Sequence, residues 1–245
     1  MRILEGQGVT KFFGGLAGVS NVDFYVYQGE ILGVIGPNGA GKTTLFNLVS
    51  GALPLSSGEI RFKGEKISGL KPHRICRMGI SRTFQETKVF GNMPVFQNVL
   101  VGAFFGSPGG ISGPDAAREA TQALEFVGLA AMGATPINDL TLVNQKRVEV
   151  ARALATRPEM LLLDELMAGL TSTEVGEAME LVTRMREKGI TILMVEHVMK
   201  AIMGISERVM VLHHGEKIAD GTCNEISCDK RVIDVYLGEE THAGS

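Results

Sequence analysis

The chain has 245 residues, of which 44% are hydrophobic and 21% are charged, and these are the proportions of an ordinary globular protein. Its net charge of −3 gives no indication of nucleic-acid binding, so we expect no nucleic-acid partner. No apolar run reaches the roughly 18 to 20 residues of a membrane span, and the first residues lack the pattern of a signal peptide. We therefore expect a cytoplasmic protein that reaches a membrane only through partners.

The first predicted elements are β-strands. Residues 22–27 (VDFYVY) alternate with the two-residue period of a half-buried strand. A turn at Gln28–Gly29 precedes the apolar run ILGVI at 31–35, which is typical of a strand buried on both faces. Residues 56–67 (SSGEIRFKGEKI) are bounded by glycines and predict an antiparallel pair of strands.

A glycine-rich loop follows the buried strand directly. Residues 36–44 read GPNGAGKTT and match the pattern G-x-x-x-x-G-K-[ST], with a helix predicted immediately afterwards. Glycines at 36 and 41 allow backbone N–H groups to close around phosphate oxygens, where a Cβ would block the approach. Lys42 is then placed to reach the β- and γ-phosphates, and the Thr43 hydroxyl to ligate Mg²⁺. The loop therefore predicts a nucleoside triphosphate site.

The middle of the chain differs in composition from the segments around it. Residues 90–137 are rich in glycine and alanine, with FGSPGGISGP at 105–114 as a predicted loop. Asp115 is predicted to cap a helix over DAAREATQALEFVGL, where alanines and leucines recur at helical spacing. We expect residues 85–137 to form a mainly helical subdomain, and residues 1–84 with 138–245 to form the α/β core and its antiparallel β subdomain.

Strands and helices alternate in the second half of the chain. The apolar runs MLLLDE at 160–165 and ITILMVEH at 190–197 predict buried strands. RVMVLHH at 208–214 predicts another strand, and GEKIAD closes a hairpin with it. RVIDVYLGEE at 231–240 predicts a last helix, followed by a frayed tail, THAGS. Strands alternating with helices around a phosphate loop predict a doubly wound α/β core.

Cysteines and histidines do not predict a metal centre. The three cysteines lack C-x-x-C spacing, which indicates free thiols rather than a disulfide framework or a zinc site; they are Cys76, Cys223 and Cys228. The pair His213–His214 has no carboxylate or thiol nearby in sequence, and we expect a surface turn there.

Polar side chains follow three of the predicted strands. Asp164 and Glu165 end the strand MLLLDE, where a carboxylate can support Mg²⁺ and the next one can polarise a water molecule against the γ-phosphate. Gln85 follows the short strand SRTF, and His197 follows ITILMVE. A single Gln or His at a strand end is usually structural, but their occurrence together with the phosphate loop and the acidic pair favours a catalytic site.

These motifs, in this order, resemble the ATP-binding subunit of an ABC transporter over residues 4–240. The matching features are the phosphate loop, the Q-loop residue Gln85, the Walker B strand LLLDE and the H-loop residue His197, while Phe13 stands where the family stacks an aromatic ring on adenine. The segments TFQETKVFGNMPVFQNVLVGA and VYLGE are similar to those of branched-chain amino-acid importers. The lipopolysaccharide-export ATPase is the nearest alternative. The resemblance implies an α/β, P-loop ABC-type ATPase core with an antiparallel β subdomain and a helical subdomain.

The resemblance also implies partners and site residues. Such subunits work as head-to-tail dimers, homo- or heterodimeric, with two ATP molecules between them, on integral-membrane permease subunits at the cytoplasmic face of the inner membrane. The helical subdomain contacts the permease. The implied catalytic residues are Glu165, His197 and Gln85, and the implied Mg²⁺ residues are Thr43, Gln85 and Asp164. The implied ATP-binding residues are Phe13, Gly36, Asn38, Gly39, Ala40, Gly41, Lys42, Thr43, Thr44, Asp164 and Thr141.

The most serious departure from the family pattern is in the signature motif; Leu166 and Ser172 also differ from the residues usual in the family. The family signature aligns with LTLVNQKR at 140–147, where Thr141 keeps a hydroxyl but Val143 occupies a glycine position. Val143 favours a further alternative to the importer and to the lipid or lipopolysaccharide exporter, namely a degenerate regulatory subunit with weak turnover. A soluble ABC-type ATPase acting on nucleic acid or ribosomes is also considered. The last would be supported by tandem cassettes or a basic arm, whereas this mildly acidic chain carries one cassette.

Overall fold

A computed structural model describes residues 1–85, 88–106 and 110–242. Within them the chain forms ten β-strands: β1 (Arg2–Phe13), β2 (Leu16–Tyr27), β3 (Ile31–Ile35), β4 (Ser57–Phe62), β5 (Glu65–Lys66), β6 (Ile80–Arg82), β7 (Met160–Asp164), β8 (Thr191–Val195), β9 (Arg208–His213) and β10 (Glu216–Gly221). The same residues form nine α-helices: α1 (Lys42–Val49), α2 (Pro72–Arg77), α3 (Val95–Gly106), α4 (Gly113–Phe126), α5 (Leu142–Leu154), α6 (Ser172–Glu187), α7 (Met199–Ile205), α8 (Cys223–Cys228) and α9 (Lys230–His242). None of the described helices is both long and apolar enough to cross a membrane.

The chain divides into two compact units, and the first comprises residues 1–70 with the residues from 191 onward. One of its sheets is antiparallel, with the strand order β2-β1-β4-β5. In the other, β10 pairs antiparallel with β9, and β9, β3 and β8 are parallel neighbours in that order. All residues of β3 and β8 are buried, as expected for continuous apolar runs in parallel strands.

The predicted strands of the first unit are confirmed. Val22, Phe24 and Val26 of β2 are buried while Asp23 and Tyr27 are exposed, which is the predicted alternation. β1 is not among the predicted elements, because register shifts, including one between residues 6 and 9, break its two-residue period.

The hairpin of β9 and β10 is also confirmed, with one difference at the predicted histidine turn. His214 lies in the turn in a left-handed conformation (φ 46°), whereas His213 is the last residue of β9. The two imidazole rings are 4.0 Å apart.

The second unit comprises residues 71–190. β6 and β7 are parallel neighbours, with Arg82 opposite Leu162. Helix α3 packs against α4 and α5. These two units are defined by contacts within the chain, and their bounds differ from those of the predicted core and helical subdomain. The predicted subdomain 85–137 is defined by its contact with a membrane partner, and it stays a prediction.

The start of α4 corrects the predicted cap. The capping residue is Ser112, whose hydroxyl accepts a hydrogen bond from the Asp115 N–H at 3.3 Å. Pro114 lacks an N–H and fits the first turn, so the helix begins before Asp115. The predicted loop at 105–114 is accordingly shorter, since Phe105 and Gly106 end α3; residues 107–109 lie outside the described residues.

The last helix is confirmed and is longer than predicted. Helix α9 continues through Thr241 and His242, so the frayed tail was wrong for these two residues, and the remaining three lie outside the described residues. No proline interrupts residues 230–242, and each added helical residue contributes another backbone hydrogen bond.

Candidate nucleotide-binding site

The phosphate loop connects β3 to α1 and is shaped by two glycines that packing requires. Gly36 has φ 149°, and a Cβ on it would lie 2.1 Å from the Leu212 carbonyl oxygen of β9. Gly41 has φ 102°, and a Cβ there would lie 2.3 Å from the Gly18 carbonyl oxygen. Real Cβ atoms do not approach a backbone so closely, so any other residue would force the loop open. The glycines thus preserve the backbone path of the loop between β3 and α1.

Lys42 is the first residue of α1 and is only 6% exposed. Its Nζ donates hydrogen bonds to the Gly36 carbonyl at 2.5 Å and to the Pro37 carbonyl at 2.9 Å. The side chain therefore folds back over the loop, and its ammonium group donates to two loop carbonyls. This is the position from which a single positive charge can be shared between loop carbonyls and phosphate oxygens.

The first turn of α1 leaves backbone donors for a ligand. Its capping position is Gly41, which has no side chain to accept a hydrogen bond from the helical N–H groups. Asn38 and Gly39 are exposed at the tip of the loop, and Thr43 is exposed on the first turn. Such a helix N-terminus favours an anion through its N–H groups and its dipole.

Phe13 ends β1 beside this loop. Its side chain is 48% exposed, with Lys11 Nζ 5.5 Å from the ring centroid. A Cβ built on Gly18 would lie 2.7 Å from Phe13 Cε2 and 3.4 Å from Thr44 Cγ2. The ring and the Thr44 methyl group therefore face the same spot, which brings an exposed aromatic surface next to the start of α1.

His197 lies at the same edge of its sheet as the phosphate loop. In the parallel pair β3–β8, Val34 is opposite Val195, and Gly36 and His197 each follow two residues later. His197 is exposed. The carboxyl ends of parallel strands meet at one edge, and that is where open α/β sheets bind ligands.

The second unit brings Gln85 and Glu165 together. Gln85 Nε2 donates a hydrogen bond to Glu165 Oε2 at 3.0 Å. Arg82 of β6 is opposite Leu162 of β7, and Gln85 and Glu165 lie three residues after them. Both residues therefore lie just beyond the carboxyl ends of these strands. The Thr83 hydroxyl accepts a hydrogen bond from the Asp164 N–H at 3.2 Å. This bond connects the two chain segments that carry Gln85 and Glu165. The amide thus orients the carboxylate predicted to act on water.

Asp164 is paired with a residue that the sequence analysis missed. Arg82 Nη2 lies 2.7 Å from Asp164 Oδ2, and the two side chains are 8% and 1% exposed. Nothing in the sequence marks Arg82, since a basic residue at the end of a short strand is common. Asp164 Oδ1 is buried and has no hydrogen-bond partner among the described residues.

The lack of a partner for Asp164 Oδ1 bears on whether the residues here fit Mg²⁺. A buried carboxylate oxygen without a partner is costly unless a ligand completes it, and Mg²⁺ or its water shell would do so. Protein magnesium sites with nucleotides use one or two protein groups, the phosphates and water, so a larger ligand cluster is not required. Within the described residues no group of three or more His, Cys, Asp or Glu could hold a metal ion. The donor set around Asp164 fits a nucleotide-bound Mg²⁺.

Lys146 is a second residue without a sequence signal. It is 7% exposed, and its Nζ donates to the carbonyl oxygens of Glu165, Leu166 and Ala168 at 3.0, 2.9 and 2.8 Å. Glu165 itself has a left-handed backbone (φ 51°). The loop that carries the predicted catalytic carboxylate is therefore bound to helix α5 through one ammonium group.

The signature segment forms the start of α5. Thr141 is exposed and caps the helix, accepting a hydrogen bond from the Asn144 N–H at 3.4 Å. Val143 lies in the first helical turn, is half-buried and has no left-handed backbone, so a valine is compatible with the chain path there. Any effect of Val143 must come from its side chain, which lines a cavity of about 10 Å³ with Leu166 and Leu170.

Glu149 of α5 is buried near the Gln85 segment. It is 3% exposed, lies 3.5 Å from Arg152 Nη2, and accepts a hydrogen bond from the Lys88 N–H at 3.4 Å. Burial raises the pKa of Glu149 above its ordinary value, although Arg152 and the N–H of Lys88 favour the charged form. Arg152 also donates to the Lys88 carbonyl at 2.6 Å, so two residues of α5 anchor the chain beyond Gln85.

The cysteines are free thiols, as predicted. Cys76 and Cys223 are half-buried and Cys228 is exposed. They take no part in the arrangement described above.

Comparisons with known proteins show the family of the chain. The family model described as "ABC transporter" matches residues 19–168, and a model described as "Branched-chain amino acid ATP-binding cassette transporter" matches residues 216–242. The chain therefore belongs to the ABC transporter family, and it is an ATP-binding cassette with ATPase activity. This confirms the resemblance, the α/β fold class and the predicted enzyme class.

The chain is similar to two branched-chain amino acid transport proteins over nearly its whole length. The high-affinity branched-chain amino acid transport ATP-binding proteins BraF of Pseudomonas aeruginosa and LivG of Escherichia coli K12 are each 39% identical to the chain. Each alignment covers 97% of this chain and 98% of the relative. A cassette of an ABC transporter solved in its ADP conformation has a TM-score of 0.88 and 29% identity, covering 97% of this chain and 99% of that one.

A second solved cassette bears on assembly. It is described as a dimeric post-hydrolysis state bound to ADP and Pi, with a TM-score of 0.81 and 25% identity over 90% of this chain and 99% of that one.

Proposed function

We propose that this chain hydrolyses ATP to drive the uptake of branched-chain amino acids. The observation that carries the proposal is the 39% identity to two branched-chain amino acid transport ATP-binding proteins over nearly the whole of each chain. The match of residues 216–242 to a branched-chain family model supports it independently, because this segment lies outside the general cassette match.

ATP binding is assigned to the first unit's loop and its neighbours. The N–H groups of the phosphate loop and of the first turn of α1 bind the phosphate oxygens, and Lys42 supplies the positive charge. Phe13 offers the exposed ring on which adenine stacks. The exposed Asn38 and Gly39, the buried Ala40 and the residues Thr43 and Thr44 complete the set, whose members share one loop and helix turn.

Hydrolysis is assigned to three polar residues. Glu165 accepts a proton from, and orients, the attacking water, and Gln85 holds the carboxylate at 3.0 Å. His197 donates a hydrogen bond to the γ-phosphate, where negative charge develops. Bound Mg²⁺ would neutralise phosphate charge, with Thr43, Gln85 and Asp164 as the residues that hold it.

Dimerisation and membrane partners complete the proposal. Thr141, exposed at the N-terminus of α5, is assigned to the nucleotide of a second ATP-binding subunit, as the head-to-tail arrangement requires. Integral-membrane permease subunits contact residues 85–137 at the cytoplasmic face of the inner membrane. The exposed Phe90, Phe104 and Phe105 support this, because a partner surface would remove their apolar area from water.

One uptake experiment tests both the proposed function and the alternative of a regulatory subunit with weak turnover. The gene is deleted in the source organism, and uptake of labelled leucine, isoleucine and valine is measured beside an unrelated sugar. We expect uptake of the three amino acids to fall and to return with the wild-type chain but not with Glu165→Gln. Restoration by Glu165→Gln would show that hydrolysis by this subunit is dispensable, and unchanged amino-acid uptake after deletion would refute the assigned substrate.

A further inference from the structure

Glu165 is held in an unfavourable backbone conformation. Its φ of 51° is left-handed, which a residue with a Cβ rarely adopts unless its surroundings impose it. The carboxylate direction depends on this backbone, because Gln85 contacts only the end of the side chain. Something in the fold must therefore fix the main chain immediately after β7.

Lys146 makes the contacts that fix it. An ammonium group has three N–H donors, and Lys146 has three carbonyl acceptors within 3.0 Å in the loop at 165–168. These carbonyls converge on one point only when the loop turns as it does here. Since Lys146 is 7% exposed, water does not replace these bonds readily.

We propose that Lys146 is a positioning residue for ATP hydrolysis. It fixes the backbone of the loop at 165–168 and thereby the direction of the Glu165 carboxylate. The proposal rests on the role of Glu165 in the proposed function. Lys146 belongs to the same helix as Thr141, so it also makes the carboxylate's position depend on the placement of the signature helix. It donates to the chain's own loop carbonyls, and its effect on catalysis is exerted through Glu165.

The first test is a matched pair of substitutions on α5. Lys146→Met keeps most of the length of the side chain, which becomes one heavy atom shorter, and removes its three donors. Arg147→Met is the control, because Arg147 is the next residue, is basic, and pairs with Glu177 of α6 instead of the loop. In the full chain with Mg-ATP we expect Lys146→Met to lower kcat at least tenfold with KM for ATP changed less than twofold. Arg147→Met should change both less than twofold.

The second test separates positioning from general structure. If Lys146 acts through Glu165, then Lys146→Met added to Glu165→Gln should lower the residual kcat less than twofold. The proposal would be overturned if the fold losses of kcat of the two single variants multiplied in the double variant. Lys146→Arg retains a charge and several donors, so we expect it to restore most of kcat; activity as low as in Lys146→Met would contradict the hydrogen-bond account.

Hydrogen exchange gives a readout that does not depend on activity. Amides of residues 165–171 should exchange faster in Lys146→Met than in the wild type, and those of β7 should keep their protection. Unchanged exchange in this loop would overturn the proposal even if kcat fell. The failure of the proposed function would look different, since Glu165→Gln would then hydrolyse ATP as fast as the wild type.

Discussion

Each unit has a buried lysine among its candidate functional residues, and both lysines donate hydrogen bonds to backbone carbonyls. Lys42 donates to the carbonyls of Gly36 and Pro37, and Lys146 to three carbonyls after β7. Asp164 is different, because Arg82 faces it directly at 2.7 Å. At the residue scale, the site therefore combines two ammonium groups that donate to backbone carbonyls with a carboxylate that is paired with a guanidinium group.

The exposed ring of Phe13 leads to a prediction on base recognition. Phe13→Ala should weaken ATP binding by about 1 to 3 kcal/mol, the usual contribution of a base–aromatic stack. Binding of tripolyphosphate, which has no base, should be unchanged. Titration calorimetry on both ligands measures the difference.

Phe12 supplies the control for that experiment. It is 49% exposed, like Phe13 at 48%, but adjacent residues of a strand point to opposite faces. Phe12→Ala should leave both affinities within twofold. Equal losses for ATP and tripolyphosphate in Phe13→Ala would show that the ring supports the loop instead of the base.

At the element scale, the ends of helices and strands carry the site. Gln85 and Glu165 follow parallel strands, Lys42 opens α1, and Thr141 caps α5. Helix α6 begins directly after the loop held by Lys146, and Thr171 and Glu174 form a reciprocal capping box there. Hydrogen bonds from Thr171 hold the pKa of Glu174 below its ordinary value. Element termini thus place polar groups on rigid supports.

The capping box at α6 gives a stability prediction. Thr171→Ala removes the acceptor for the Glu174 N–H and should cost about 1 kcal/mol of the free energy of unfolding. That corresponds to a fall in Tm of about 2 to 4 °C for a chain of this size. Thr173→Ala, at an exposed position in the first turn of the same helix, should not lower Tm. Equal falls in Tm would mean that the threonine methyl groups matter and the cap does not.

The signature segment gives a prediction on turnover. We expect low ATPase activity for the isolated chain and a several-fold increase on Val143→Gly, because a branched side chain stands where the family has none. Glycine within a helix also costs roughly 0.5 to 1 kcal/mol relative to alanine, so Val143→Ala is the cleaner comparison. Steady-state hydrolysis at saturating Mg-ATP, with dimerisation followed in parallel, measures both. Brisk wild-type turnover that neither substitution changes would contradict this prediction.

At the scale of the whole molecule, the predicted ligand is linked to stability. The phosphate loop, Phe13 and His197 belong to one unit, and Gln85, Asp164, Glu165 and Thr141 to the other. A ligand that binds the native chain and not the unfolded one raises stability by an amount that depends on its concentration relative to Kd.

Thermal unfolding with Mg-ATP tests this linkage. In a Glu165→Gln background, which slows hydrolysis, Mg-ATP at 100 times Kd should add about 2.7 kcal/mol of stability. The expected rise in Tm is about 5 to 11 °C, at roughly 2 to 4 °C per kcal/mol. Adding Lys42→Ala should remove the shift, because the ammonium predicted to pair with the β- and γ-phosphates is lost. Lys66→Ala, an exposed lysine of β5, should preserve it; an unchanged shift in Lys42→Ala would refute the assignment of this loop.

The sequence by itself determined the features that depend on local chemistry. The phosphate loop is readable because its glycines, lysine and threonine are close in the chain, and continuous apolar runs predict β3, β7 and β8 because burial on both faces requires them. The cap of α4 was misassigned to Asp115 because serine and aspartate both suit a helix start, and the position of Pro114 decides between them.

Only the tertiary structure decided which distant residues meet. The contact of Gln85 with Glu165 spans 80 positions, the Arg82–Asp164 pair spans 82, and Lys146 reaches a loop about 20 positions away. No local pattern encodes such contacts, because they follow from the register of β6 on β7 and from the packing of α5 against the loop after β7. Strand register and helix packing are properties of the whole fold, and they convert separate polar residues into an oriented carboxylate, a paired one and a fixed backbone.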